Sequence, residues 1–148
     1  MITAKDIDLV TATRSALAVR GEALAMRFYG HLFDRDPGLR AMFPKDLRVQ
    51  SRKLSATLVL AIDSMGDWDR FAPVLDVLAR RHLGYGVRRE HYDVVGEALI
   101  ETLREAGIGP VHLAAWTRAY VAMSRRMTES AYVSPADQRG ASGLTKLA

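Results

Sequence analysis

Not one cysteine occurs in the 148 residues, which removes disulfides, thiolate zinc sites, iron–sulfur clusters and a cysteine nucleophile from consideration. Long apolar runs are missing too. No stretch approaches the roughly 18 consecutive apolar residues that could span a bilayer, so no membrane insertion is expected. The opening stretch MITAKDIDLV lacks the basic segment, apolar run and small-residue cleavage site of a secretory signal, and the expected location is cytoplasmic. Proline is confined to positions 37, 44, 73, 110 and 135, no internal repeat is visible, and no strand pattern competes with the helical one.

What is present suits one globular domain. A chain of this length buries roughly two-thirds of the surface that it exposes when unfolded, enough for one core and a medium-sized ligand. The composition is 49% hydrophobic and 26% charged. The 21 Lys and Arg are spread along the chain and nearly matched by 17 Asp and Glu, for a formal charge of +4. Arg80-Arg81, Arg88-Arg89 and Arg125-Arg126 are the densest basic pairs. A nucleic-acid binder could use them, but solvated helix faces explain them at least as well, and no nucleic-acid partner is expected.

Ala, Leu, Arg and Glu between glycine and proline punctuation predict an all-α chain. The first helix should start near Thr3, with Asp6 as capping-box partner, and carry Ile7, Val10, Leu17 and Val19. Gly21 marks a join or a close packing point before a second helix over about 21–35, striped by Leu24, Phe28, His31 and Leu32 with Ala25, Tyr29 and Phe33 beside them. Asp36-Pro37 opens a short helix that ends at Phe43-Pro44. Asp46 can cap a helix over about 47–63, where Gln50 falls among Leu47, Leu54, Leu58 and Ala61 on the apolar face. A helix over about 68–83 turns Phe71, Val74, Leu75 and Leu78 inward and ends in His82, which continues the stripe. Two long helices, about 89–106 and 110–131, are joined by Gly107-Ile108-Gly109-Pro110. The tail from Ser134 has little apolar content and is expected to be mobile.

A polar Gln on one inward stripe and a His ending another suit a cofactor pocket between helices. On spacing alone His82 reads more readily as a hydrogen-bonded core histidine than as a metal ligand. The other histidines, His31, His91 and His112, have no partner at a spacing such as H-x-x-x-H and receive no chemistry.

The order FYGHLF, AMFPKD, QSRKL, RRHLGYGV and REHYDVVGEAL resembles the globin domain of bacterial flavohaemoglobins and related single-domain haemoglobins, over about residues 5–130. The resemblance implies a globin fold over residues 1–133, a helical sandwich around a haem pocket, with residues 134–148 as the tail. It implies haem b, iron protoporphyrin IX, held without covalent attachment because the chain has no C-x-x-C-H. His82 is then the proximal iron ligand and Phe43 packs on the haem face. Tyr29 and Gln50 lie on the distal side, Leu54 forms an apolar wall, and Lys53 points outward near a propionate. Arg81, or its neighbour Arg80, either reaches a propionate or is a solvent-facing charge. Tyr85, Val87, Tyr92 and Val95 complete the cofactor-binding set.

The same resemblance implies reversible binding of O2, NO or CO, and NO dioxygenase chemistry in which Tyr29, Gln50 and Tyr92 take part. Tyr92 matches a tyrosine that flanks the proximal histidine in flavohaemoglobins. The accompanying glutamate has no counterpart: Ala131 stands at its place, fifteen residues after Trp116, and Glu129 lies about 200° away around the helix. The length leaves no room for flavin and nicotinamide domains, so a separate reductase is the expected electron source. The alternative is a globin-type sensor or interaction module, signalling through helix contacts and possibly free of haem. Against it, Tyr29, Phe43, Gln50 and His82 would then stand idle.

Overall fold

In the computed structural model, which describes residues 2–132, Thr3 caps α1 (Ala4–Thr11) through the expected capping box. Its hydroxyl accepts from the Asp6 N–H, and the Asp6 carboxylate accepts from the Thr3 N–H, each at 3.1 Å. Then come α2 (Arg14–Arg35), a 3-10 helix (Pro37–Met42), α3 (Arg48–Ser64), α4 (Trp68–Gly84), α5 (His91–Glu105) and α6 (Pro110–Ala131). The described residues hold no strand, and none of their helices is long and apolar enough to cross a membrane. The expected tail, 134–148, lies outside the described residues.

The join expected at Gly21 falls at Ala12-Thr13 instead, and α2 runs unbroken through Gly21. The cause lies far along the chain. Thr13 is buried, its hydroxyl donates to the Val10 carbonyl at 2.7 Å, and it accepts from the indole N–H of the fully buried Trp116 at 2.9 Å. This pairing holds the turn open while satisfying both polar groups. Leu17 therefore belongs to α2, and Val19, expected inward, is 85% exposed. Val74, also expected inward, is exposed as well. Asp46 does cap α3, but from one residue further out, accepting from the Arg48 N–H at 3.0 Å.

Gly21 keeps its other expected role. A Cβ there would lie 1.8 Å from Ser55 Oγ and 2.9 Å from Ser55 Cβ, so the absent side chain is what lets α2 and α3 meet. Rotating the hydroxyl relieves only the first clash. Gly21→Ala should therefore destabilise the fold by about 1–3 kcal/mol, the usual cost of overpacking. Urea unfolding measures it, and an unchanged midpoint would mean that the helices can part freely.

The helices form two groups. The helix α2 carries the 3-10 helix and α3, α6 gathers α1 and α4, and α5 packs against both α2 and α6. Trp116, Leu103, Leu32 and Val10 fill the centre with almost no exposure. At the α1–α6 contact Arg118 donates to Asp6 at 2.9 Å, and this hydrogen bond, with that from Thr3, holds the carboxyl down from 3.8 to about 2. A group with a depressed folded pKa stabilises the fold above its ordinary value and loses that contribution as pH falls. Unfolding midpoints of the wild type should fall between pH 4 and pH 2 more steeply than those of Asp6→Asn; parallel profiles would remove Asp6 from the acid response.

Candidate functional site

The first half of the predicted set assembles where α2, the 3-10 helix and α3 meet. Tyr29 sits on the apolar stripe of α2 and is 3% exposed. Its ring stacks on Phe33 at 5.9 Å between centroids, meets Phe28 edge-on at 5.2 Å and lies 5.3 Å from Phe43. Phe43 follows the 3-10 helix, where Pro44 keeps its backbone extended, and also packs on Phe33. Burial pushes the Tyr29 phenol up to about 12, and the nearby Gln50 side chain only partly offsets this. At neutral pH Tyr29 is thus a neutral O–H donor beside an amide. Leu54, one turn beyond Gln50, lines a small apolar cavity with Leu24, Phe28, Leu58, Leu99 and Leu103. Lys53 is exposed on the outer face of α3.

The second half sits at the end of α4 and the start of α5. His82 Nδ1 lies 2.6 Å from the Leu78 carbonyl. A carbonyl only accepts, so Nδ1 carries the proton and the lone pair of neutral imidazole is on Nε2. Among the described residues Nε2 has no protein partner. The chain then turns tightly: the N–H groups of Tyr85 and Val87 both donate to the His82 carbonyl at 3.1 Å. Gly86 makes this turn possible with φ of 89°, a value that side-chain-bearing residues seldom adopt. The Tyr92 ring lies 6.4 Å from the imidazole at 35°. Its hydroxyl is buried and has no partner among the described residues, and burial pushes it up to about 12.

The remaining predicted residues divide by exposure. Val87 and Val95 are half-buried, whereas the side chains of Arg81 and Tyr85 are exposed, Tyr85 by 70%. Arg80 is the less exposed of the arginine pair, with a buried Nε that finds no partner among the described residues. It precedes His82 by two positions, about 200° around the helix, on the side that faces Asp76.

Three residues with no chemistry expected of them also make specific polar contacts. The Tyr120 hydroxyl donates to the Tyr92 carbonyl, and the Tyr132 hydroxyl donates to the Val87 carbonyl. His31 is buried between Glu105 and Glu101, with ring nitrogens 2.8 and 3.5 Å from their carboxylates. Tyr120 follows Trp116 on the apolar stripe of α6 and His31 lies on that of α2, whereas nothing local points to Tyr132.

The donor set discriminates between kinds of metal site. No group of three or more His, Asp or Glu side chains able to hold a metal ion occurs among the described residues. One imidazole cannot hold a bare ion, but it would suit an iron whose other donors come from a macrocycle. An oriented Nε2, a buried unpartnered phenol beside it and an aromatic and amide cluster on neighbouring helices fit such a group.

An α-helical sandwich with one oriented imidazole at the end of a helix has the architecture of a helical prosthetic-group protein. A Globin family model matches residues 26–127, and the chain belongs to the globin family. Flavohemoproteins of Bordetella parapertussis and Chromobacterium violaceum are 33% identical over 119 residues and 30% over 126, covering 76% and 81% of this chain. Those matches cover 29% and 31% of the relatives, so the chain spans about three-tenths of the length of the curated relatives it matches. Two solved structures share the fold at 23% identity. The bacterial globin of Campylobacter jejuni superposes with a TM-score of 0.79, over 88% of this chain and 96% of that one. An engineered carbene transferase, derived from a candidate nitric oxide dioxygenase of Rhodothermus marinus, gives 0.80 over 89% and 94%.

Proposed function

We propose that this globin binds haem b through His82 Nε2 and holds a diatomic ligand, O2, NO or CO, against Tyr29 and Gln50. The observation that carries the proposal is the 2.6 Å contact from His82 Nδ1 to the Leu78 carbonyl, which fixes the tautomer and leaves Nε2 as the coordinating atom. Bound haem would supply the coordination of the diatomic ligand and the redox change by which NO and O2, with one electron, become nitrate.

The chain's own residues orient and select. Leu78 fixes the imidazole, Phe43 and Leu54 keep water away, and the protonated Tyr29 phenol and Gln50 amide supply donors to a ligand that gains negative charge. Phe43, Val87, Tyr92 and Val95 would pack against the ring. Lys53, Arg81 and Tyr85, all exposed, would act at its rim. Electrons for turnover would come from a separate reductase. A cytoplasmic setting agrees with that reading.

The test is NO loss in aerated buffer with ferredoxin reductase and NADPH. Sustained loss with one nitrate formed per NO supports dioxygenation; loss that stops after one NO per chain with no nitrate formed leaves reversible binding as the function.

A further inference from the structure

We infer that Tyr132 is a positioning residue for His82, an aromatic clasp from the end of α6 beside the alanine that stands where the resemblance implies a glutamate; this rests on the haem reading above. Tyr132 directly follows Ala131, the position at which the resemblance led one to expect a glutamate. Its N–H donates to the Thr128 carbonyl at 3.0 Å, so it is fixed to the last turn of α6.

From that anchor it reaches His82 by two routes. Along the backbone, its hydroxyl donates to the Val87 carbonyl, and the Val87 N–H donates to the His82 carbonyl at 3.1 Å. Along the side chains, its ring meets Tyr92 edge-on at 6.4 Å and 89°, and Tyr92 lies 6.4 Å from the imidazole. Arg89 covers the Tyr132 ring, with its guanidinium carbon 5.8 Å from the centroid. The Tyr120 hydroxyl pins the Tyr92 carbonyl from the middle of α6. The two routes close a circuit around His82, so the end of α6 constrains both the loop that follows the imidazole and the ring beside it.

The chemistry differs from that of an acid at this place. A neutral phenol that spends its proton on a backbone carbonyl brings no negative charge toward the imidazole. Tyr132 therefore holds geometry without adding electron density at His82.

The test compares the full-length wild type with Tyr132→Phe and Tyr132→Leu, as purified. Three quantities are read: exchange of the Val87 amide, the rate of haem loss from the ferric protein, and the iron–histidine stretching band of the reduced protein. Tyr132→Phe keeps the ring contact and loses one hydrogen bond, so Val87 exchange and haem loss should rise roughly two- to tenfold. Tyr132→Leu loses the ring as well and should raise both further, with a broadened iron–histidine band. Unchanged Val87 exchange in both variants overturns the inference. So does a general loss of exchange protection across α5 and α6 with an unaltered iron–histidine band, which would make Tyr132 a helix-end packing residue. A wild type that takes up no haem contradicts the haem reading alone, and Val87 exchange then decides the inference by itself.

Discussion

Replacing His82 by alanine is expected to leave a folded chain that no longer retains haem through gel filtration. The side chain is half-buried, its protein contacts are the Leu78 carbonyl and the Tyr92 ring, and alanine is the best helix former, so the chain without cofactor should lose at most about 1 kcal/mol. The loaded protein should suffer much more. A ligand present at 1,000 times its dissociation constant stabilises the native state by about 4 kcal/mol, and that contribution vanishes with the coordinating atom. The variant should therefore melt at the same temperature with or without added haem, whereas the wild type should gain on loading. Imidazole in the buffer should partly restore uptake by supplying the missing donor. Full retention of haem with an unchanged spectrum of the reduced CO form would remove His82 from the ligand role.

The Tyr29→Phe variant is expected to release O2 about ten- to a hundredfold faster than wild type. The substitution keeps the ring that Phe28, Phe33 and Phe43 enclose, so altered packing does not explain a change. What it removes is an O–H that burial keeps protonated, with its pKa pushed up to about 12. A hydrogen bond to a ligand carrying negative charge is worth about 1.5–3 kcal/mol, which gives the stated range. CO carries less charge on its outer atom, and its release should change little. That contrast separates hydrogen bonding from ligand access. Gln50→Leu should act in the same direction, and because the Gln50 side chain acts on the Tyr29 phenol, the double variant should show less than the combined effects. Stopped-flow O2 release unchanged in both single variants would return these residues to the aromatic core.

Legibility followed the range of the interactions. The Thr3–Asp6 capping box and the Gly107–Pro110 junction are local: α1 starts where Thr3 caps it, and α5 and α6 lie close to the predicted 89–106 and 110–131. The turn at Thr13 was hidden because its cause is Trp116, 103 positions away. Val19 and Val74 show the weakness of reading burial from residue type, since each is an apolar side chain on the solvent side of its helix. At the site, the motifs named Tyr29, Gln50, His82 and Tyr92 as a set. Their arrangement needed structure: the contact of Tyr29 with Gln50 joins α2 to α3, and the contact of His82 with Tyr92 joins α4 to α5. Tyr132 carried no local signal at all. It is a lone aromatic after a helix end until α6 brings it to the carbonyl of Val87.

The most direct test of the central claim is the absorption spectrum of the purified chain in its ferric, reduced and CO-bound forms, with bound haem quantified per chain. The account predicts one haem per chain, a CO-sensitive Soret band of the histidine-ligated type in the reduced protein, and loss of that band in His82→Ala. A chain that takes up no haem at a stoichiometric addition, or whose Soret band persists unaltered without His82, would contradict it.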